Sequence, residues 1–167
     1  MNPRRSLTAP VEDRVLHLAA ELPVPPGDAF EWFCLEERLQ EWLVPQARVE
    51  PRTGGAYELF WAPEDPENDS TIGCRITVFQ PGEVLGFQWR SPRQFKPFAN
   101  GADPLTHVLA SFAAQHGGAR IHLVHTGWRS GPEWEAAAAW QELAWRKALR
   151  ALAAAVSGSR PPHHIGN

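Results

Sequence analysis

Apolar and polar residues alternate with period two along most of this chain, and in two stretches the rhythm lengthens to that of a helix. Val15 to Leu22 alternates and predicts a first strand. Pro25-Pro26-Gly27-Asp28 then opens a helix through Ala29-Phe30-Glu31-Trp32-Phe33. Proline is tolerated in an entry turn, and an acid suits the positive end of the helix dipole. A second short helix is predicted from about Leu35 to Trp42, ending before Pro45. Three hairpin signals follow. Ala47–Glu50 and Tyr57–Trp61 flank Gly54-Gly55, Ile72–Phe79 and Val84–Trp89 flank Pro81-Gly82, and Leu105–Ala113 and Arg120–Thr126 flank Gly117-Gly118. Each has glycine where a tight turn needs positive φ. Strands so joined predict a meandering antiparallel sheet. The connections 62–71 (acidic, broken by prolines) and 91–104 (carrying Phe95 and Phe98) are expected to hold no secondary structure of their own. Long loops of that kind often form functional rims.

Strand parity selects faces. Tyr57, Leu59 and Trp61; Cys74, Ile76 and Val78; Leu85, Phe87 and Trp89; Val108, Ala110 and Phe112; Ile121, Leu123 and His125 share the covered face. Their alternates, among them Glu58, Arg75, Thr77, Gln88, Arg90, His107, Ser111, Arg120 and His122, predict a largely wet opposite face. The last long element runs from about Pro132 to Val156, roughly 37 Å at about 1.5 Å per residue. Its apolar stripe carries Trp134, Ala138, Gln141, Trp145, Ala148, Leu152 and Val156, with Glu135, Glu142, Arg146 and Arg150 opposite and Trp140 on a flank. A long amphipathic helix laid across an antiparallel sheet predicts an α+β fold.

Composition narrows the function classes. The 167 residues predict one domain over 13–156, with loose ends at 1–12 and 157–167. Net charge is −3 with no basic stripe, which argues against nucleic acid as a partner. No apolar run reaches the roughly 20 residues of a membrane span, and the N-terminus lacks the apolar core of a secretion signal. A cytoplasmic protein without membrane contact is expected. Cys34 and Cys74 have no metal-ligand spacing and read as small buried hydrophobes.

The order of strand, two short helices, six further strands and a long C-terminal helix resembles the START/Bet v 1 (SRPBCC) helix-grip superfamily. Its local wording is similar to the Hsp90 ATPase activator (Aha1-like) branch. The residues that carry the likeness begin with Val24-Pro25-Pro26, Ala29-Phe30, Leu39 and Trp42, then Val49-Glu50-Pro51-Arg52 and Gly54-Gly55. They continue through Gly86, Trp89-Arg90, Gly117-Gly118-Ala119-Arg120, His125-Thr126-Gly127-Trp128, Trp134, Trp145 and Leu149. The resemblance implies a curved sheet wrapped around the long helix, enclosing a cavity for a small hydrophobic or amphipathic molecule. It implies as alternatives an Hsp90-type chaperone as partner, or a cyclase- or dehydratase-type enzyme. The eukaryotic co-chaperone also carries a separate N-terminal domain, for which this sequence has no room, so chaperone activation ranks second.

The candidate binding residues are Tyr57, Trp61, Cys74, Phe87, Trp89, Phe112, His125, Trp134, Gln141 and Trp145, which converge by parity on the sheet–helix interface. Wide rings can enclose an apolar ligand, and the same rings can simply fill a core. The polar minority (Tyr57, His125, Gln141 and the indole N–H groups) needs partners in each other, in water or in a ligand. An enzyme would require His125 or Tyr57 as acid or base, and no inward carboxylate completes a dyad; no catalytic residue and no cofactor is assigned. His122 and His125 lie an odd number of positions apart, so they face opposite ways and cannot share a metal. The acidic run 65–70 lacks the glycine and the final acid of a calcium loop, and His163-His164 falls in the tail. Gly127-Trp128-Arg129-Ser130-Gly131 misplaces its serine for a nucleophile elbow. Trp140 and the sheet edges would suit a homodimer.

Overall fold

The computed structural model describes residues 12–158. Seven strands and four α-helices occupy them: β1 (Leu16–Leu22), α1 (Pro26–Cys34), α2 (Glu36–Trp42), β2 (Gln46–Val49), β3 (Tyr57–Phe60), β4 (Ile76–Gln80), β5 (Val84–Gln88), α3 (Lys96–Ala99), β6 (His107–Gln115), β7 (Gly118–Thr126) and α4 (Pro132–Gly158). The two loose ends fall mostly outside the described residues, as does His163-His164. Inside them, α4 runs on through Ser157 and Gly158, two residues past its expected end.

β1, β7, β6, β5 and β4 form one antiparallel sheet in that order, and β2–β3 form a two-stranded ribbon. The ribbon is tied to the connection that leads into β4 by the bridges Ala56↔Arg75 and Phe60↔Ser70 and by Tyr57 N–H to Cys74 O (2.8 Å), and its turn meets the start of β4 through Gly54 N–H to Ile76 O (2.8 Å). All three hairpins form at their predicted glycines, with φ of 84° at Gly54, 76° at Gly82 and 79° at Gly117. Gly118 has a different reason to be glycine. A Cβ there would sit 2.3 Å from the backbone oxygen of Leu22, where the end of β1 meets β7. Backbone atoms cannot step aside as a flexible side chain can. Gly118→Ala is therefore expected to lower stability by roughly 1–3 kcal/mol, measured by urea unfolding.

The inward sheet face and the apolar stripe of α4 share one core with α1 and α2. The two short helices cover one end of the sheet: Phe30 and Phe33 of α1 each meet Phe112 edge-on at 5.4 Å. On α4 the stripe buries Ala137, Ala138, Gln141, Trp145, Leu149, Leu152 and Val156, while Trp134 and Ala148 stay half-buried. Arg14 straps the chain before β1 to α4 through Glu135 and Glu142.

Four expectations need correction. A bulge between Ile76 and Val78 reverses parity in β4, so Phe79 pairs with inward Leu85 and packs on the core, meeting Phe30 at 5.4 Å; both Val78 and Phe79 are half-buried. Glu58, expected on the wet face, is buried because the 61–75 connection folds over it; it accepts from Gly73 N–H (2.8 Å) and Arg48 (2.9 Å). Trp61, expected on the covered face, is 40 % exposed, because it lies beyond the end of β3. The connection 91–104 carries structure of its own, a 3₁₀ turn at Arg93–Phe95 leading into α3. It is fixed there by the other long connection: Arg93 pairs with Asp65 (3.0 Å) and Lys96 donates to Glu67 O (2.8 Å) and Asn68 (2.9 Å).

Candidate functional site

A half-open cleft of about 730 Å³ lies between the C-terminal end of α2, the ends of β3 and β5, and the middle of α4. Its apolar walls are Trp42, Trp61, Trp89, Trp140, Leu143 and Trp145, and its polar groups include Asp69, Arg90, Gln141 and Lys147. The local sequence explains why rings gather here. Trp61 and Trp89 are the first residues past the ends of β3 and β5, and their rings meet edge-on at 5.8 Å. Gln141 and Trp145 lie one helical turn apart on the inward side of α4, and Trp145 packs against Trp89 with centroids 4.9 Å apart. Trp140, next to Gln141, is turned outward and is 41 % exposed.

Of the ten residues expected from the sequence to bind a ligand, Trp61, Trp89, Gln141 and Trp145 line the cleft. Tyr57, Cys74, Phe87, Phe112 and His125 are buried in the interior and do not line it, and Trp134 packs near the start of α4 against Phe98 (5.1 Å) and Trp128 (6.4 Å). Sequence reasoning missed Trp42, Leu43, Arg90 and Lys147 among the lining. Trp42 carried a usable signal, since a tryptophan ending a two-turn helix before proline must pack on a neighbour.

The buried polar groups of Tyr57, Trp89, Gln141, His125, Trp128 and Trp145 find partners within the protein. Tyr57 donates its hydroxyl to Phe33 O at 2.6 Å while its ring stacks on Phe87 at 4.1 Å. Trp89 donates its indole N–H to Gln141 Oε1 at 3.2 Å, which accounts for an amide on an otherwise apolar stripe. Trp145 donates to His125 Nδ1 at 3.0 Å. An indole nitrogen can only donate, so Nδ1 is the acceptor and Nε2 carries the proton, given to Thr106 Oγ1 at 3.0 Å. Trp128 donates to the His125 carbonyl at 3.1 Å.

Burial, with a smaller contribution from His107, pushes the His125 imidazole down to about 3. The ring is therefore neutral near pH 7, with both nitrogens engaged. Burial raises the Tyr57 hydroxyl well above its usual value, with Cys34 adding to the shift. Burial also raises the thiols, Cys34 to about 11 and Cys74 to about 12, and both cysteines are free. None of these groups offers an acid or base poised near neutrality, and His125 and Tyr57 do not line the cleft. His122 faces away from the core and meets His17 (Nδ1 to Nε2, 2.9 Å), and Asp65 and Asp69 of the acidic loop pair with Arg93.

A curved antiparallel sheet that grips a long C-terminal helix, with two short helices inserted after the first strand, defines the helix-grip class. The chain belongs within it to the family of Activator of Hsp90 ATPase homolog 1-like proteins, which matches residues 23–157. Solved structures share the fold. Protein MLL2253 from Mesorhizobium loti is 15 % identical, with a TM-score of 0.71 over 89 % of this chain and 100 % of that one. The Aha1 dimer from Colwellia psychrerythraea is 10 % identical, with a TM-score of 0.65 over 89 % and 99 % of the two chains. Protein CV1439 from Chromobacterium violaceum is 21 % identical, with a TM-score of 0.61 over 85 % and 96 %. No curated protein matches the sequence. Among the described residues no helix is long and apolar enough to cross a membrane.

Proposed function

We propose that this protein binds a small, largely apolar molecule in the cleft between α2, α4 and the ends of β3 and β5. The observation that carries the reading is the pair Trp61 and Trp140, 40 % and 41 % exposed and both lining the same cleft, one past the end of β3 and the other on α4. Ring surface left in water is unfavourable by about 25 cal/mol per Å², and a flat apolar guest between the walls removes it from solvent. The volume, about 730 Å³, falls within the roughly 300–1,000 Å³ typical of small-molecule sites.

N-Phenyl-1-naphthylamine, a neutral fluorescent probe, tests the reading. It is expected to brighten on binding and to quench tryptophan emission. Ala144→Trp, which fills the cleft from α4, weakens it by roughly tenfold or more. Ala136→Trp, on an exposed part of α4 outside the cleft, leaves binding unchanged. Equal binding to wild type and Ala144→Trp would contradict the proposal.

Contact with an Hsp90-type chaperone is the second reading. Its support is the family membership together with Leu143, 69 % exposed beside Trp140 on α4. A chaperone ATPase assay separates the two: stimulation abolished by Leu143→Glu would favour protein contact over ligand binding.

A further inference from the structure

Arg90 sets the chemistry of the cleft. Its Nε is a buried side-chain atom without a hydrogen-bond partner, the lone such atom among the described residues. No carboxylate pairs with its guanidinium among those residues. Its polar neighbour is the Cys74 thiol, a weak acceptor kept neutral by burial. Arg93, three positions on, shows the usual outcome for an arginine here: Asp65 and Asp69 hold it at 3.0 and 3.6 Å. Asp69 is the lone acid lining the cleft, and it is already occupied, accepting the Arg93 backbone N–H at 2.8 Å. Lys147 adds a second positive charge to the wall. A chain with a net charge of −3 thus presents a locally positive cleft floored with indole rings. With Nε sealed and the Cys74 thiol its one weak partner, the half-buried guanidinium can meet a guest through its terminal Nη groups, an end-on fork suited to an oxyanion on two N–H bonds.

We infer that the occupant is an organic anion, with a planar apolar body against Trp61, Trp89 and Trp140 and a carboxylate or sulfonate on Arg90. This rests on the cleft being the binding site, and it adds the substrate class.

The test compares two probes on one ring skeleton: 1-anilinonaphthalene-8-sulfonate and neutral N-phenyl-1-naphthylamine. Arg90→Gln is expected to weaken the sulfonate by about tenfold or more and the neutral amine by less than about twofold. Arg90→Lys, which keeps the charge and loses the fork, falls between. With the unaltered protein, raising salt from about 0.05 to about 0.5 M weakens the sulfonate and spares the amine. The inference is overturned if Arg90→Gln affects both probes equally, since that marks a structural role. It is equally overturned if the sulfonate is indifferent to salt and to both substitutions. If neither probe binds wild type, or Ala144→Trp spares both, the cleft itself is not the site and this assignment goes with it.

Discussion

Trp145→Ala is expected to lower the unfolding free energy by about 3–5 kcal/mol, the usual loss for deleting a buried tryptophan, and to drop the melting temperature by on the order of 10 °C. Trp145 is 1 % exposed and sits where α4, β5 and β7 meet, against the rings of Trp89 (4.9 Å) and His125 (6.3 Å). Its removal opens a void and also strips His125 Nδ1 of its donor. A fully buried acceptor left unpaired adds about 1–3 kcal/mol to the damage. Trp145→Phe should fall between, because it restores most of the volume and not the N–H. Trp140→Ala, on the same helix but 41 % exposed, should change stability by less than about 1 kcal/mol. Differential scanning calorimetry on the three variants checks this ordering. Equal losses at Trp140 and Trp145 would mean that α4 does not present this face to the sheet.

The second large effect is a loss of stability in mild acid. In the folded chain His125 stays neutral until about pH 3, whereas in the unfolded chain it takes up its proton near the ordinary value of 6.5. Between those limits the unfolded state binds the extra proton, so stability is full above pH 6.5 and falls as pH falls. The slope is about 1.4 kcal/mol per pH unit for one such group. Burial lowers His107 too, adding loss of the same sign. Glu50 and Glu142 are lowered, Glu50 chiefly by the Ala56 backbone N–H and Glu142 chiefly by Arg146; their contributions disappear only below about 4.5, the unfolded carboxyl value. The window from pH 6.5 to 5 therefore isolates the histidines. His125→Asn keeps an acceptor for Trp145 and a donor for Thr106 while removing the titration. Wild type should lose roughly 2 kcal/mol more than His125→Asn across that window, read from urea midpoints. Parallel profiles would show that protons reach the ring without unfolding.

Much of this architecture was legible in the sequence because the signals were local. Glycine at positions 54, 82 and 117 with alternating flanks placed the hairpins, and the Pro132 start with its Trp and Leu spacing placed α4. Where a single extra residue changes parity, as between Ile76 and Val78, period-two reasoning assigned Val78 the place that Phe79 occupies. Glu58 was misplaced because its burial comes from the 61–75 connection folding back, a tertiary event without a pattern of its own. The turn at 93–95 and α3 were missed because a two-prolined stretch shows too few residues to establish a helical period. The candidate site divides in the same way. Trp89, Gln141 and Trp145 were visible from parity and helical spacing and line the cleft; Trp61 lines it too, but past the end of β3 and exposed, not on the covered face where parity put it. Trp42 and Arg90 join them through the approach of α2 and of the β5 end to α4, which no spacing encodes. Parity put Arg90 on the wet face; in the fold it is half-buried with Nε sealed from solvent.

The crystal structure of the protein grown with saturating 1-anilinonaphthalene-8-sulfonate is the most direct measurement. The naphthalene ring is expected among Trp61, Trp89 and Trp140, with the sulfonate oxygens on the Arg90 guanidinium. A probe seated anywhere else, with the cleft left to water, would contradict this placement.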